Sequence, residues 1–151
     1  MHAQPLGARH AVRTHGQARQ VEGGQDLRAR DAAGRLGVSE GALAFSGALG
    51  AATPIAAQVK QLLPAIGTLG RVMALTRNDA AVHERKGAYE DISVGTAHAL
   101  VLGPDIDLRI FYRGWSAGFA VDESHDGGPG RSLQFFDKHG QAIHKIYMRD
   151  E

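Results

Sequence analysis

Hydrophobic and polar positions change rhythm twice along the chain. Up to Gln25 large apolar residues are sparse and keep no period, so residues 1–25 are expected to form a disordered or atypical leader. From Leu27 the spacing turns helical. Leu27, Ala32, Ala33, Leu36 and Val38 form a short apolar stripe that ends near Gly37. Ser39 suits the N-cap of a second short helix through Leu43 and Phe45, because its hydroxyl can accept from a first-turn N–H. Small residues from Gly47 to Thr53 read as a linker. Pro54 fits the first turn of a third helix, with Ile55, Val59, Leu62 and Leu63 on one side and Pro64 and Gly67 closing it.

After Gly67 the period becomes two. Strands are predicted at Gly70–Thr76, Ala88–Val94, Ala97–Leu102, Asp105–Tyr112, Ala117–Asp122, Arg131–Phe136 and Ala142–Met148. Gly95-Thr96, Gly103-Pro104, Asp126 to Gly130 and Lys138 to Gly140 supply turns between them. Short N-terminal helices followed by a large antiparallel β-sheet meander make an α+β fold, here one domain over residues 26–151. Alternation places Asp107, Arg109 and Phe111 on one face of their strand and Ile106, Leu108, Ile110 and Tyr112 on the other. It likewise places Ile143, Lys145 and Tyr147 opposite His144, Ile146 and Met148.

Composition then narrows the chemistry. The 151 residues contain no cysteine, which excludes disulfides, zinc-thiolate sites and thiol catalysis. The formal net charge is +1, so no whole-protein field draws in nucleic acid or an anionic membrane, and neither partner is expected. No apolar run approaches a membrane span, and the leader lacks the apolar stretch of a secretory signal.

Short motifs decide little. Gly114-Trp115-Ser116-Ala117-Gly118 matches the G-x-S-x-G elbow, but that motif needs a following helix and Phe119 to Asp122 reads as a strand. Arg30 to Leu43 resembles a helix-turn-helix corner, but the second helix has no Lys or Arg to face DNA. The eight histidines are scattered without metal-ligand spacing.

Three longer blocks are more specific. GRVMALTRNDAAVHERKGAYEDI, HALVLGPDIDLRIFYRGWSAGFAVDE and RSLQFFDKHGQAIHKIY follow one another in order, after ARDAAGRLGVSEGAL. Together they resemble the amino-terminal repeat of HemS/ChuS-type heme-utilisation proteins, over about residues 28–149. The resemblance implies a cytoplasmic protein that binds or passes on heme (iron) in heme-iron acquisition, with ring opening and iron release in some members. Such heme oxygenase-like activity would need an electron donor. The second repeat, which carries much of the family's heme site, is expected to be absent. A homodimer like that of single-repeat ChuX-like proteins would replace it.

The resemblance also nominates residues. His83, in the RN-x-x-x-VHE block, is the candidate heme-iron ligand, while Glu84, Arg85 and Lys86 beside it suggest a solvent-facing loop. Arg109, in the D-L-R block, is implied at the distal side of the heme, where a guanidinium would orient oxygen or water or pair with a propionate. Asp107 on the same face offers a structural ion pair instead. Arg77, Arg113, Lys145 and Tyr147 are further candidates for propionate or porphyrin-edge contacts.

Overall fold

The computed structural model describes residues 29–48, 50–56, 58–125 and 128–148, so the predicted leader lies outside the described residues. Two short helices come first, α1 (Ala29–Leu36) and α2 (Glu40–Phe45). They are followed by β1 (Ala51–Ile55), α3 (Val59–Ile66) and a 3-10 turn (Gly67–Leu69). Then come β2 (Arg71–Arg77), β3 (Val82–Ala88), β4 (Ile92–Val94), β5 (His98–Leu102) and β6 (Asp107–Phe111). A second 3-10 turn (Tyr112–Gly114) leads to β7 (Ala117–His125), β8 (Gly128–Phe136) and β9 (Ala142–Met148).

The helix punctuation follows the expected chemistry. Gly37, at φ 68°, ends α1 in the left-handed region that glycine adopts cheaply. Ser39 caps α2, its Oγ accepting from the Ala42 N–H at 3.1 Å. The third helix differs from expectation. Ala51–Ile55 is not a linker running into a helix but an edge strand antiparallel to β7. Pro54 sits in it, tolerated because an edge strand needs no donor on its outer side. The helix starts at Val59 and continues past Pro64 to Ile66, burying Val59, Leu63 and Ile66. At this position, near the helix end, proline removes a single backbone hydrogen bond.

The α+β class stands, but the strands form two sheets rather than one meander. Six strands run in the order β1-β7-β8-β9-β2-β3 and three in the order β4-β5-β6. β9 returns beside β2, so the chain's last strand lies next to the first strand of the β2–β3 hairpin. The segment read as a strand at Ala88–Val94 is split, Ala88 ending β3 and Ile92–Val94 forming β4, and the expected loop around Glu84 is β3. β3 was hidden because both its faces are largely exposed, which erases the alternation of a half-buried strand. Charged side chains on such an edge also discourage pairing with another chain.

The large sheet is covered on both faces. On one face α3 and the three-stranded sheet enclose the main core, with Phe135, Ile146, Leu63, Val101 and Ile106 almost fully buried. Each such side chain contributes on the order of 1.5–3 kcal/mol of burial. On the other face α2 packs through Ala44 against Phe119, Val121, Phe136 and Ala142. No helix among the described residues is long and apolar enough to cross a membrane.

Candidate functional site

The three-stranded sheet has one buried face and one uncovered face. Its register sets His98 opposite Phe111, Leu100 opposite Arg109 and Leu102 opposite Asp107. Ala99, Val101 and Ile110 turn into the core, so alternation sends this second set outward. Phe111 is 66 % exposed, and its ring centroid lies 6.0 Å from that of His98. The Arg109 guanidinium donates to the Asp107 carboxylate. Both partners are more than half exposed, and an ion pair of that kind is worth less than about 1 kcal/mol. It holds Arg109 outward without locking it against a ligand. Arg113, in the 3-10 turn after β6, is exposed as well.

His83 lies on the edge strand β3, opposite Thr76 in the register. It is exposed, and no hydrogen bond or ion pair engages its ring among the described residues. Thr76 also stands opposite His144 on β9, so one row of the sheet carries a histidine on each side of the threonine. His144 is enclosed. Its Nδ1 is 2.9 Å from Thr76 Oγ1 and its Nε2 is 2.5 Å from the Tyr89 hydroxyl. Trp115 packs on it at 5.6 Å. Burial pushes its pKa down to about 4 and drives the Tyr89 phenol above its ordinary range. A neutral imidazole has one N–H and one lone pair, and the two hydroxyls satisfy both. His144 therefore has no valence left for a metal.

Lys145, Tyr147 and Arg77 project from the opposite face of the large sheet, the face that carries α2. The Lys145 ammonium donates to the Glu40 carboxylate, with only 4 % and 5 % of the two side chains exposed. Tyr147 is half-buried beside them. Burial raises its pKa to about 12, with Glu123, Glu40 and Glu84 adding to the shift and Arg77 opposing it. Gln134, in register between Lys145 and Phe119, donates to Ser132 Oγ at 3.0 Å and to Glu123 Oε1 at 3.2 Å. The Gln134 Oε1 and Arg77 Nε atoms are buried with no hydrogen-bond partner among the described residues.

The nominated residues therefore do not converge on one pocket. His83 stands at a sheet edge, Arg109 on the outer face of the small sheet, and Lys145, Tyr147 and Arg77 on the opposite face of the large sheet. A cavity of about 230 Å³, lined by Gln58, Lys60, Tyr112 and Trp115, touches none of them and is below the roughly 300–1,000 Å³ of a typical ligand site. Among the described residues no group of three or more His, Cys, Asp or Glu stands where it could hold a metal ion. A single imidazole such as His83 still suits heme, whose macrocycle supplies the other iron ligands. The flat, exposed Phe111 beside His98 suits the porphyrin face. Sequence reasoning missed three partners. His98 was visible once its register against Phe111 is known, but Glu40 on Lys145 and Tyr89 on His144 join positions 105 and 55 residues apart.

Residues 37–151 match the haemin-degrading HemS/ChuX domain, and the chain belongs to that family. It is 38% identical over 124 residues to the hemin transport protein HemS of Yersinia enterocolitica, covering 82% of this chain and 36% of HemS. Its structure matches holo-PhuS, a heme-binding protein from Pseudomonas aeruginosa, with a TM-score of 0.85 and 43% identity, over 93% of this chain and 41% of PhuS. It also matches ChuS, a heme-degrading enzyme of Escherichia coli O157:H7, with a TM-score of 0.81 and 29% identity, over 93% of this chain and 43% of ChuS. The chain thus spans well under half of each of these relatives.

Proposed function

We propose that residues 26–151 form a cytoplasmic domain that binds heme as cargo in heme-iron acquisition, with residues 1–25 as a leader. The observation that carries this reading is the uncovered face of the three-stranded sheet. It puts Arg109 on the same face as the exposed Phe111 and His98 rings, while His83 offers an exposed imidazole with no ring partner among the described residues. An apolar ring edged by a cation suits a porphyrin edged by carboxylates. Family membership and likeness to PhuS and ChuS support it.

Heme degradation with iron release is the finer form of this proposal. Heme iron would supply the oxygen chemistry when bound, and an external donor would supply electrons. This chain's part would be to hold the ring and aim the Arg109 guanidinium, freed from Asp107, at the distal side. A second reading is favoured by the 66 % and 42 % exposure of Phe111 and Leu102 on that same face. In it the face is covered by a second copy or by a second repeat, and the heme lies between the two halves. Sedimentation of the chain with and without hemin separates the two. A heme-bound monomer supports the first reading, and heme binding that appears only with dimer supports the second. No hemin binding at any concentration overturns both.

A further inference from the structure

The small cavity that stands apart from the nominated residues has a consistent chemistry of its own. It opens between the start of α3 and the chain around the second 3-10 turn, holds about 230 Å³, and is lined by Gln58, Lys60, Tyr112 and Trp115. That is room for roughly eight waters, too little for a tetrapyrrole. Its aromatic side is fixed before any ligand arrives. The Tyr112 hydroxyl donates to Gly95 O at 3.1 Å. The Trp115 N–H donates to Tyr112 O at 3.2 Å, and the next N–H, that of Ser116, donates to Phe136 O at 2.9 Å. The Trp115 ring also packs on Phe135 and His144, at 4.8 and 5.6 Å between centroids. The polar side offers donors. Lys60 is exposed and has no ion-pair partner among the described residues. Gln58 Oε1 already accepts from Gln61 Nε2 at 2.7 Å, so the N–H2 end of Gln58 is the end left for a ligand. The Gln58 side chain does not cap α3, and the first turn of α3 holds no acidic residue, so the helix start adds positive potential to that of Lys60. Among the described residues no carboxylate lines the cavity.

We infer that this cavity is a binding site for a small aromatic monocarboxylate, its ring against Trp115 and Tyr112 and its carboxylate on the Lys60 ammonium and the Gln58 amide. Two fixed aromatic side chains suit a planar apolar body. A carboxylate only accepts hydrogen bonds, so it matches a rim made of donors, and the charge on Lys60 strengthens the match. The volume limits the ligand to about ten non-hydrogen atoms. The site is independent of the heme reading, since none of His83, His98, Arg109 and Phe111 lines it.

Trp115 is the single tryptophan of the chain, so its emission reports on this cavity directly. Three probes divide the claim: benzoate carries ring and charge, benzamide the ring alone, and acetate the charge alone. Benzoate is expected to change the emission of the full chain along a saturable curve, half-complete at about millimolar concentration or below. Benzamide and acetate are each expected to bind at least about tenfold more weakly. Lys60→Met, at an exposed position, is expected to leave the melting temperature unchanged and to weaken benzoate about tenfold. Lys60→Arg, which keeps the cation, is expected to stay within about threefold of wild type. An emission change that stays linear in benzoate concentration is collisional quenching and overturns the site. So does benzamide binding as tightly as benzoate, or Lys60→Met binding benzoate as tightly as wild type. Saturable benzoate binding by a chain that takes up no hemin would leave this site standing while the heme reading falls.

Discussion

His83 and His144 sit in one row of one sheet, a strand either side of Thr76, yet they have opposite chemistry. His144 packs against Trp115 and Tyr89, with both ring nitrogens committed and its charged form suppressed. His83 lies on the neighbouring edge strand, exposed, with no ring partner among the described residues. The two candidate ion pairs repeat the contrast. Lys145–Glu40 is enclosed, and Arg109–Asp107 faces solvent. Residue type therefore does not set a side chain's surroundings here; depth in the sheet does. Enclosed polar groups hold elements together, and exposed ones face solvent.

The sharpest difference should come from the ion pairs. Lys145→Ala strands the Glu40 carboxylate in the interior and should cost about 3–5 kcal/mol. Arg109→Ala should cost less than about 1 kcal/mol. Urea denaturation of the two variants checks this, and equal losses would mean that the buried pair is not a fixed element.

Acid should act through the inner histidine. Its folded pKa of about 4 lies below the unfolded value of about 6.5, so the unfolded chain binds the extra proton first. The stabilisation is full above pH 6.5 and is lost as pH falls towards 4. The chain should be about 2 kcal/mol less stable at pH 5 than at pH 7.5 from this group alone. His144→Gln should flatten that slope in urea denaturations run at the two pH values.

The smallest stability effect should be that of His83→Ala, within about 0.5 kcal/mol of wild type, as for an exposed surface residue. Thermal melting reads this directly. A larger loss would show that His83 has a structural partner.

Much of this arrangement was legible from residue pattern. The Ser39 cap, the Gly37 stop, the outward set at Asp107, Arg109 and Phe111, and the split of β9 between Lys145 and His144 all followed from local periodicity. β3 did not, because an edge strand exposed on both faces carries no alternation. Pro54 misled because proline suits a helix start and an edge strand equally. The division into two sheets was illegible because it depends on β9 pairing with β2, across more than sixty residues of chain. For the same reason no motif showed that Glu40 would claim Lys145, or that His144 would be enclosed while His83 stayed open.

The most direct test is a hemin titration followed at the Soret band, with wild type, His83→Ala and His144→Gln side by side. The account predicts a saturable Soret shift that His83→Ala removes or alters and that folded His144→Gln keeps. A wild-type spectrum that never shifts, or one abolished by His144→Gln and untouched by His83→Ala, would contradict it.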